Sequence, residues 1–281
     1  MFFRTVNTKS GIGCLFCIAI CLLGVSGVFS SAAAADWRAS LSQEAPGNFP
    51  QPRPLRAKYN FGWSGITAAS GEAHFTKPSE SRFQLDGSGR TIGLARALWK
   101  FDVNSRATAH AATLTPLETE QTEVVRGKKI VTNLTFTNTG VTRARTEGPD
   151  RSAATKTRQF NFPHLFDLHS ALLYLRSQPL KERSVHRIVV YPTNSAYLAT
   201  VTVLGREKIS VKAGSYNAIK TDLQLNKVGK KFELEPHRKF RKATIWISDD
   251  ADRLILRVEA QIFVGTVFAE LQSVRFDKSK S

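Results

Sequence analysis

The stretch Phe160–Leu180, FNFPHLFDLHSALLYLRSQPL, is the clearest helical pattern in a sequence that otherwise reads as strands. Asp167 is placed to cap a helix by accepting a hydrogen bond from a first-turn N–H, and Phe166 precedes the cap as a hydrophobic staple against Ala171. Pro179 ends the helix, because the residue before a proline is pushed out of the α region. The stretch therefore predicts one short helix at about residues 167–178.

Four apolar residues recur at helical spacing within this stretch and form one stripe: Leu168, Ala171, Leu172 and Leu175. A stripe of this kind must be covered by another apolar surface. In a chain of strands, that surface is a sheet face or the mouth of a barrel. We expect the helix to cover an opening of the sheet.

Strand patterns fill the chain on both sides of the helix. Tyr59, Phe61 and Trp63 alternate with smaller or polar residues, and Tyr216–Asn226 alternates over its whole length. Consecutive patterns are separated by short turns, which is typical of antiparallel neighbours. The fold class predicted is mainly β, an antiparallel meander curled into a barrel or half-barrel. A membrane-embedded barrel is disfavoured, because strands such as Arg253–Gln261 carry charge where lipid would lie.

Three segments are less regular, and each has an expectation of its own. Ile92–Leu98 is apolar and is expected to be a helical turn or a loop folded over the core, followed by a strand that starts at Trp99. Gly148–Lys156 is polar and is expected to interrupt the strands, while Lys208–Lys212 is expected to be a short strand of its own.

The first 35 residues resemble an export signal, with Arg4 and Lys9 before the apolar run Gly11–Phe29 and small residues at its end. Cleavage is expected before Asp36, although a run of this length could also remain as an anchor. After it we expect a proline-containing leader at 36–54, a single β-rich domain at 55–276 and a polar tail at 277–281. The predicted location is periplasmic or secreted, with no membrane-spanning segment after cleavage.

The three cysteines, Cys14, Cys17 and Cys21, all lie inside the apolar run, so the processed chain would carry no disulfide. Cleavage removes two positive charges from a formal net charge of +17 and leaves +15. A basic surface is attracted to anionic lipid or other anionic envelope components, and an exported protein rarely meets nucleic acid. General solubility is the alternative explanation of the charge.

Short aromatic motifs occur in a fixed order along the chain. They are Tyr59-x-Phe61-x-Trp63-x-Gly65-Ile66, Asp167-x-x-Ser170, Val211-x-Ala213-Gly214-x-Tyr216 and Trp246-Ile247-Ser248. In this order the chain resembles, from Leu55 to Phe276, a family of bacterial exported proteins known as a domain of unknown function. The resemblance implies a periplasmic curved sheet, distantly like envelope lipoprotein carriers. It implies no activity and assigns no catalytic residue.

Three clusters invite a chemical interpretation that the spacing does not support. Asp167, His169 and Ser170 include the residue types of a hydrolase triad, but neighbouring side chains on a helix diverge and cannot share a proton. His164 and His169 are five residues apart, not at the spacing that places two metal ligands on one helix face. Asp249–Asp252 is typical of an Asp-rich turn and lacks the rest of a calcium loop. We predict no catalytic residue, metal or cofactor.

Two sets of residues are predicted to bind something. Ligand contacts are expected from aromatic residues and one cation near the mouth of a cavity: Trp63, Trp99, Tyr174 and Arg176. Contacts with an anionic surface are expected from the basic segment 227–242: Lys230, Lys231, Arg238, Lys239, Arg241 and Lys242. Phe232 and Phe240 are expected to insert beside them. Core packing and a solvated hairpin loop are the respective alternatives.

Together these observations predict an exported, non-catalytic envelope protein that binds an amphiphilic or lipid-like ligand inside a half-barrel. The alternative is a structural or interaction protein that docks onto another envelope component, including an envelope protein. A hydrolase is the more distant alternative. An interior filled by the protein's own side chains would favour docking.

Overall fold

The computed structural model describes residues 36–47, 53–148, 152–160, 165–237, 240–262 and 265–277, with Arg241 described by its backbone alone. The strands are β1 Leu55–Trp63, β2 Ile66–Ser79, β3 Arg82–Thr91, β4 Phe101–His110, β5 Pro116–Val125, β6 Lys128–Thr137, β7 Gly140–Glu147, β8 Ala154–Gln159, β9 Leu165–Phe166, β10 Val185–Val190, β11 Ala196–Val211, β12 Gly214–Val228, β13 Leu234–Pro236, β14 Phe240–Ser248, β15 Ile255–Ile262 and β16 Gly265–Phe276. The helices are α1 Gly93–Leu98 and α2 Leu168–Ser177, and a 3-10 helix covers Trp37–Ser40.

All sixteen strands belong to one open, curved sheet. Within it the last strand, β16, lies beside the first strand, β1. β1 to β8 pair in sequence order, each antiparallel to the next. On its other side β1 pairs antiparallel with β16, from Leu55 opposite Phe276 to Trp63 opposite Val267. The order continues through β15, β14, β12, β11 and β10 to β9, and β13 pairs with β12. Bulges in β1, β11 and β14 bend their strands. The prediction of a curled antiparallel meander is confirmed.

Helix α2 packs against the inner face of the sheet and joins its two halves. In the chain, α2 connects β9 to β10, and these two strands pair in parallel. A parallel pair needs a crossover connection, which the helix provides. Leu173 and Tyr174 share one buried cluster with Phe83 of β3 and Leu271 of β16. The core therefore lies inside the curve, with α2 at its centre.

The apolar stripe of α2 is broader than its spacing predicts. Leu168 and Leu172 are only half-buried, whereas Leu173 and Tyr174, outside the predicted stripe, are almost completely buried. The reason is that the helix is covered from several sides. Strands of both halves contact it, and the segment before β1 covers a further side.

That segment is more ordered than its prolines suggest. Leu41 is buried in a cluster with residues of β6, β7 and β11, and the Ser42 N–H donates to the Arg187 carbonyl oxygen over 2.9 Å. The side-chain amide of Gln178 also donates to the Ala45 carbonyl oxygen. Residues 36–47 therefore close part of the core. The predicted signal at 1–35 lies outside the described residues.

Three strand predictions were wrong in detail. Trp99 lies in the connection before β4 and not on a strand. Leu204 and Lys208 belong to one continuous strand, β11, which passes a bulge between Val203 and Gly205. β8 begins at Ala154, inside the segment expected to interrupt the strands. It is an edge strand with exposed side chains, so it shows no apolar alternation.

Candidate functional site

Tyr174, a predicted ligand contact, is part of the core. Its side chain is 1% exposed, and its ring lies 5.0 Å from the Phe166 ring, centroid to centroid. The hydroxyl donates to the Glu44 carbonyl oxygen over 2.9 Å. Burial raises the pKa of Tyr174 to about 12, so the hydroxyl keeps its proton. The residue holds the N-terminal segment onto α2.

Arg176, the predicted cation, is enclosed between α2 and the turn after β14. Its Nη2 donates to the Asp252 carbonyl oxygen over 2.7 Å. Burial lowers the pKa of Arg176, while Tyr59, Asp252 and Asp250 oppose that shift. The guanidinium therefore links the helix to a turn of the sheet, which agrees with the core-packing alternative for this residue.

The two predicted tryptophans lie elsewhere. Trp63 ends β1 and is 46% exposed, and Trp99 follows α1 with its indole Nε1 buried. Both lie at one end of the sheet, away from the inner face that α2 covers. The four predicted ligand contacts therefore form two separate pairs and do not line one cavity.

The interior holds a buried carboxyl group on β5. Glu123 on β5 is 3% exposed and accepts a 2.8 Å hydrogen bond from the amide of Gln121. Burial raises the pKa of Glu123 to about 7, although Gln121 and Arg145 act in the opposite direction. This carboxyl group therefore titrates near neutral pH.

His169, on the first turn of α2, is a second buried titratable group. Its Nε2 is buried and makes no hydrogen bond within the described residues. Burial lowers the pKa of His169 to about 4, with Arg176 acting in the same direction and Asp167 opposing it. The imidazole is therefore neutral at ordinary pH.

The residues of the apparent hydrolase triad serve the helix start. Asp167 Oδ1 accepts from the Ser170 N–H over 2.6 Å, and the Ser170 hydroxyl reaches back to the Asp167 N–H. This reciprocal arrangement is a capping box. Asp167 also accepts a bond from Thr119 of β5. Within the described part of the chain these contacts occupy the serine and the aspartate without a histidine.

The acidic turn after β14 is held by its own backbone and by arginines. Asp250 Oδ1 accepts from the Ser248 hydroxyl and from two N–H groups of the turn, and Asp249 pairs with Arg206 at 2.8 Å. Asp252 pairs with Arg53. Among the described residues no group of three His, Cys, Asp or Glu side chains is placed to hold a metal ion.

The basic segment is described only in part. Lys230, Lys231 and Lys242 are exposed, whereas Arg238, Lys239 and the side chain of Arg241 lie outside the described residues. Phe232, which was expected to insert at an interface, is half-buried. Phe232 packs against Phe160 with ring centroids 6.3 Å apart, because the chain turns it back onto the core.

A polar groove of about 500 Å³ crosses the outer face of β1 to β5. Its charged lining consists of Arg56, Glu72, His74, Asp86, Arg106 and Glu120. Several of these charges already satisfy one another. Arg106 Nε is 2.7 Å from Asp86 Oδ1, and Arg56 is 3.7 Å from Glu72. The groove therefore offers few free charges to a ligand.

The end of the sheet near Trp63 exposes apolar side chains on two neighbouring connections, the β1–β2 turn and α1. We call this set the apolar end: Trp63, Ile66, Leu94 and Leu98. Their exposed fractions are 46%, 67%, 77% and 72%. Because β1 to β4 are antiparallel neighbours, both connections lie at the same end of the sheet. The Ile92 N–H donates to the Ala68 carbonyl oxygen over 2.9 Å and fixes α1 beside β2.

Exposed cations surround this end. We call them the basic collar: Arg90, Lys100, Arg126, Lys128 and Lys129. Three of them lie on the β5–β6 hairpin, at its turn or at the start of β6. This hairpin is joined to the β3–β4 connection, since the Arg126 N–H donates to the Lys100 carbonyl oxygen over 2.9 Å. Within the described residues, no ion pair involves a collar side chain.

Sequence reasoning missed this end because it treated Ile92–Leu98 as a cover for the core. Of the two expectations for this segment, the helical turn is confirmed. Leu94 and Leu98, however, point away from the core. A signal was present: the two leucines are four residues apart, so they share a face of a helix. The polar turn Arg126-Gly127-Lys128 next to it also fits a solvent-facing end.

The described residues include no helix with the length and apolar character needed to cross a bilayer. The apolar run at 11–29 lies outside them.

Comparison with known proteins gives a family and a fold. The family model for "Protein of unknown function (DUF3108)" matches residues 58–272. A β-barrel-like protein of domain of unknown function DUF1849 from Brucella abortus aligns with a TM-score of 0.55 at 8% identity, covering 82% of this chain and all of that one. At that identity the likeness concerns the fold alone.

Two further structures align less well. A candidate lipoprotein from Parabacteroides distasonis has a TM-score of 0.34 at 12% identity, covering 83% of this chain and 100% of that chain. A candidate exported protein with a YmcC-like fold from Bacteroides fragilis has a TM-score of 0.30 at 11% identity, covering 81% and 98%. No curated protein matches the chain.

Proposed function

Since the chain belongs to the DUF3108 family of proteins of unknown function, we propose that it is an exported, non-catalytic protein of the bacterial cell envelope that acts by docking onto another envelope component. The N-terminal sequence supports export through its basic start, apolar run and alanine-rich end. Docking is the alternative that a filled interior favours over an enclosed amphiphile.

The observation that carries the proposal is the position of α2. Leu173 and Tyr174 of the helix, with Phe83 and Leu271 of the sheet, are each at most 1% exposed and occupy the inside of the curve. A half-barrel that carries an acyl chain would need an apolar cavity in this place. Here the protein's own side chains occupy that place, so we expect a partner to be bound at the outer surface.

Native mass spectrometry of the chain purified from the periplasm without detergent tests this proposal. We expect the mass of the chain alone, and we expect part of the protein to sediment with envelope membranes until the salt concentration is raised. Tyr174→Ala is the matched control, because it opens an apolar cavity beside α2 that small apolar compounds can fill. Uptake of a fluorescent apolar probe by the variant would show that the assay detects cavity binding.

A lipid retained in one-to-one ratio by the unmodified protein would overturn the proposal. Wild-type uptake of the apolar probe equal to that of Tyr174→Ala would count against it equally, because it would mean that the interior is open without the substitution.

A further inference from the structure

We propose that the apolar end inserts into the headgroup layer of an anionic phospholipid bilayer while the basic collar contacts the lipid phosphates. This inference rests on the proposed docking function, since it names the surface that docks and the component that it meets. It concerns Trp63, Ile66, Leu94 and Leu98 and the five cations around them.

The apolar end presents two exposed leucines on α1. Leu94 and Leu98 are one helical turn apart on α1, and each leaves more than 70% of its surface in contact with water. Ile66, the first residue of β2 after the β1–β2 turn, is similarly exposed. Large apolar side chains grouped in this way on a soluble surface mark a contact with a partner or a membrane. Transfer of such side chains from water to lipid is favourable in proportion to the area removed from water.

The cations of the basic collar have no ion-pair partner within the described residues. Some arginines elsewhere in the sheet are bound by carboxylates, as in Arg206 with Asp249 and Arg257 with Glu270. Asp102, at the base of the β3–β4 connection, is occupied by Arg96 at 2.9 Å, and the collar residues have no ion-pair partner within the described residues. Their charge is therefore available to an anionic surface.

The combination favours a lipid surface over a protein. Leucine and isoleucine at the tips of connections, a tryptophan at their base and a surrounding set of lysines and arginines match the layout of segments that lie in the membrane interface. Each lysine or arginine close to an anionic membrane strengthens binding by about 5-fold. A protein interface of standard size would need about 800 Å² on each partner, which four side chains at one tip do not supply.

Vesicle flotation with the chain purified from the periplasm after export tests the inference. Vesicles of phosphatidylcholine mixed with phosphatidylglycerol are compared with vesicles of phosphatidylcholine alone. We expect binding to the anionic vesicles and little binding to the neutral ones. Leu94→Ser combined with Leu98→Ser should weaken binding by about 30-fold, because two side chains can no longer enter the lipid. Replacement of Lys100, Lys128 and Lys129 by Gln should weaken it by roughly 100-fold.

Leu204→Ser is the matched control, because Leu204 is 48% exposed on β11 and lies far along the sheet from the apolar end. It should leave binding unchanged, and thermal unfolding should verify that all variants fold. Trp63 supplies an independent readout, since brominated lipid should quench more of the tryptophan fluorescence in the wild type than in Trp63→Phe, in which Trp99 is the remaining tryptophan at this end.

Equal binding by the leucine variant and the wild type would overturn the inference and leave only general attraction of a basic protein to anionic vesicles. Equal loss in Leu204→Ser would overturn it too. The proposed function fails in a different way, through a lipid retained inside the purified protein. An absence of vesicle binding together with crosslinking to an envelope protein would reject the bilayer as partner and retain docking.

Discussion

Thr119 on β5 donates a 2.6 Å hydrogen bond to Asp167 Oδ2, and Asp167 is the residue that caps α2. The bond joins a strand of the first half of the sheet to the helix that precedes the second half. The cap is therefore a local feature of α2 and also a link between elements 48 residues apart in the chain.

Thr119→Val should lower the free energy of unfolding by about 1–2 kcal/mol, because it removes the donor and keeps the shape of the side chain. Asp167→Ala should cost more, about 2–4 kcal/mol, since it also removes the N-cap. The double variant should cost less than the sum of the two, which urea unfolding can measure as a coupling energy. Thr122→Val, on the outer face of the same strand, is the control. Strict additivity of the two changes would mean that the bond contributes nothing.

We expect the wild type to lose stability as the pH rises toward 8, and Glu123→Gln should not show this loss. Burial raises the folded pKa of Glu123 to about 7, above the ordinary value of 4.5 for a glutamate. Its protonated form is therefore favoured by folding, and that contribution is complete below pH 4.5 and lost as the pH rises through 7. At pH 8 the variant should be more stable than the wild type by about 2–3 kcal/mol, because the wild-type carboxylate must be held ionised in a buried place.

The measurement is chemical unfolding of both proteins between pH 4 and pH 8. Glu120→Gln, at an exposed position on the same strand, is the matched control and should leave the pH profile unchanged. A wild type whose stability relative to Glu123→Gln rises with pH would contradict the sign of this prediction.

His169→Leu should protect the protein from acid. Burial lowers the folded pKa of His169 to about 4, below the ordinary value of 6.5 for a histidine. Stability from the neutral imidazole is therefore complete above pH 6.5 and is lost as the pH falls toward 4, because the unfolded chain takes up the proton first. Leucine takes up no proton and packs beside Phe75, whose ring centroid is 5.9 Å from that of the imidazole. Between pH 6.5 and pH 4 the wild type should lose about 2–3 kcal/mol more than the variant.

Thermal unfolding across this pH range checks the prediction. His110→Leu removes a histidine whose side chain is exposed, so it should keep the acid sensitivity of the wild type. Equal acid sensitivity in His169→Leu and the wild type would show that another group is responsible.

The local parts of the structure could be predicted from the sequence and the long-range parts could not. Asp167, Ser170 and Pro179 define α2 through bonds and clashes within a few residues, and alternation along β1 defines a strand without knowledge of its partners. No local pattern indicates that β1 pairs with β16, or that Tyr174 reaches Glu44 across 130 residues. Such contacts depend on how the whole chain folds back on itself.

The candidate site was missed for the same reason. An apolar segment such as Gly93–Leu98 can face the core or the solvent, and the choice depends on how much space the core leaves. α2 and the N-terminal segment fill the inside of the sheet, so Leu94 and Leu98 remain outside. The prediction that Tyr174 and Arg176 bind a ligand was made without that knowledge, and their buried contacts give both a structural role.

Gly62→Ala should destabilise the end of the sheet that carries Trp63. A Cβ at Gly62 would lie 2.2 Å from the Ile66 carbonyl oxygen and 2.5 Å from the Phe268 ring, so the backbone or the ring would have to move. Overpacking of this kind costs about 1–3 kcal/mol, and contact with backbone favours the upper part of that range. Gly65→Ala is the control, because a Cβ there meets nothing within 4 Å and only its φ of +86° is unfavourable, at about 1 kcal/mol. Thermal unfolding should therefore give a larger decrease for Gly62→Ala. An equal or smaller decrease would show that Phe268 and the β1–β2 turn can shift freely, and the apolar end would then lack the fixed geometry described for it.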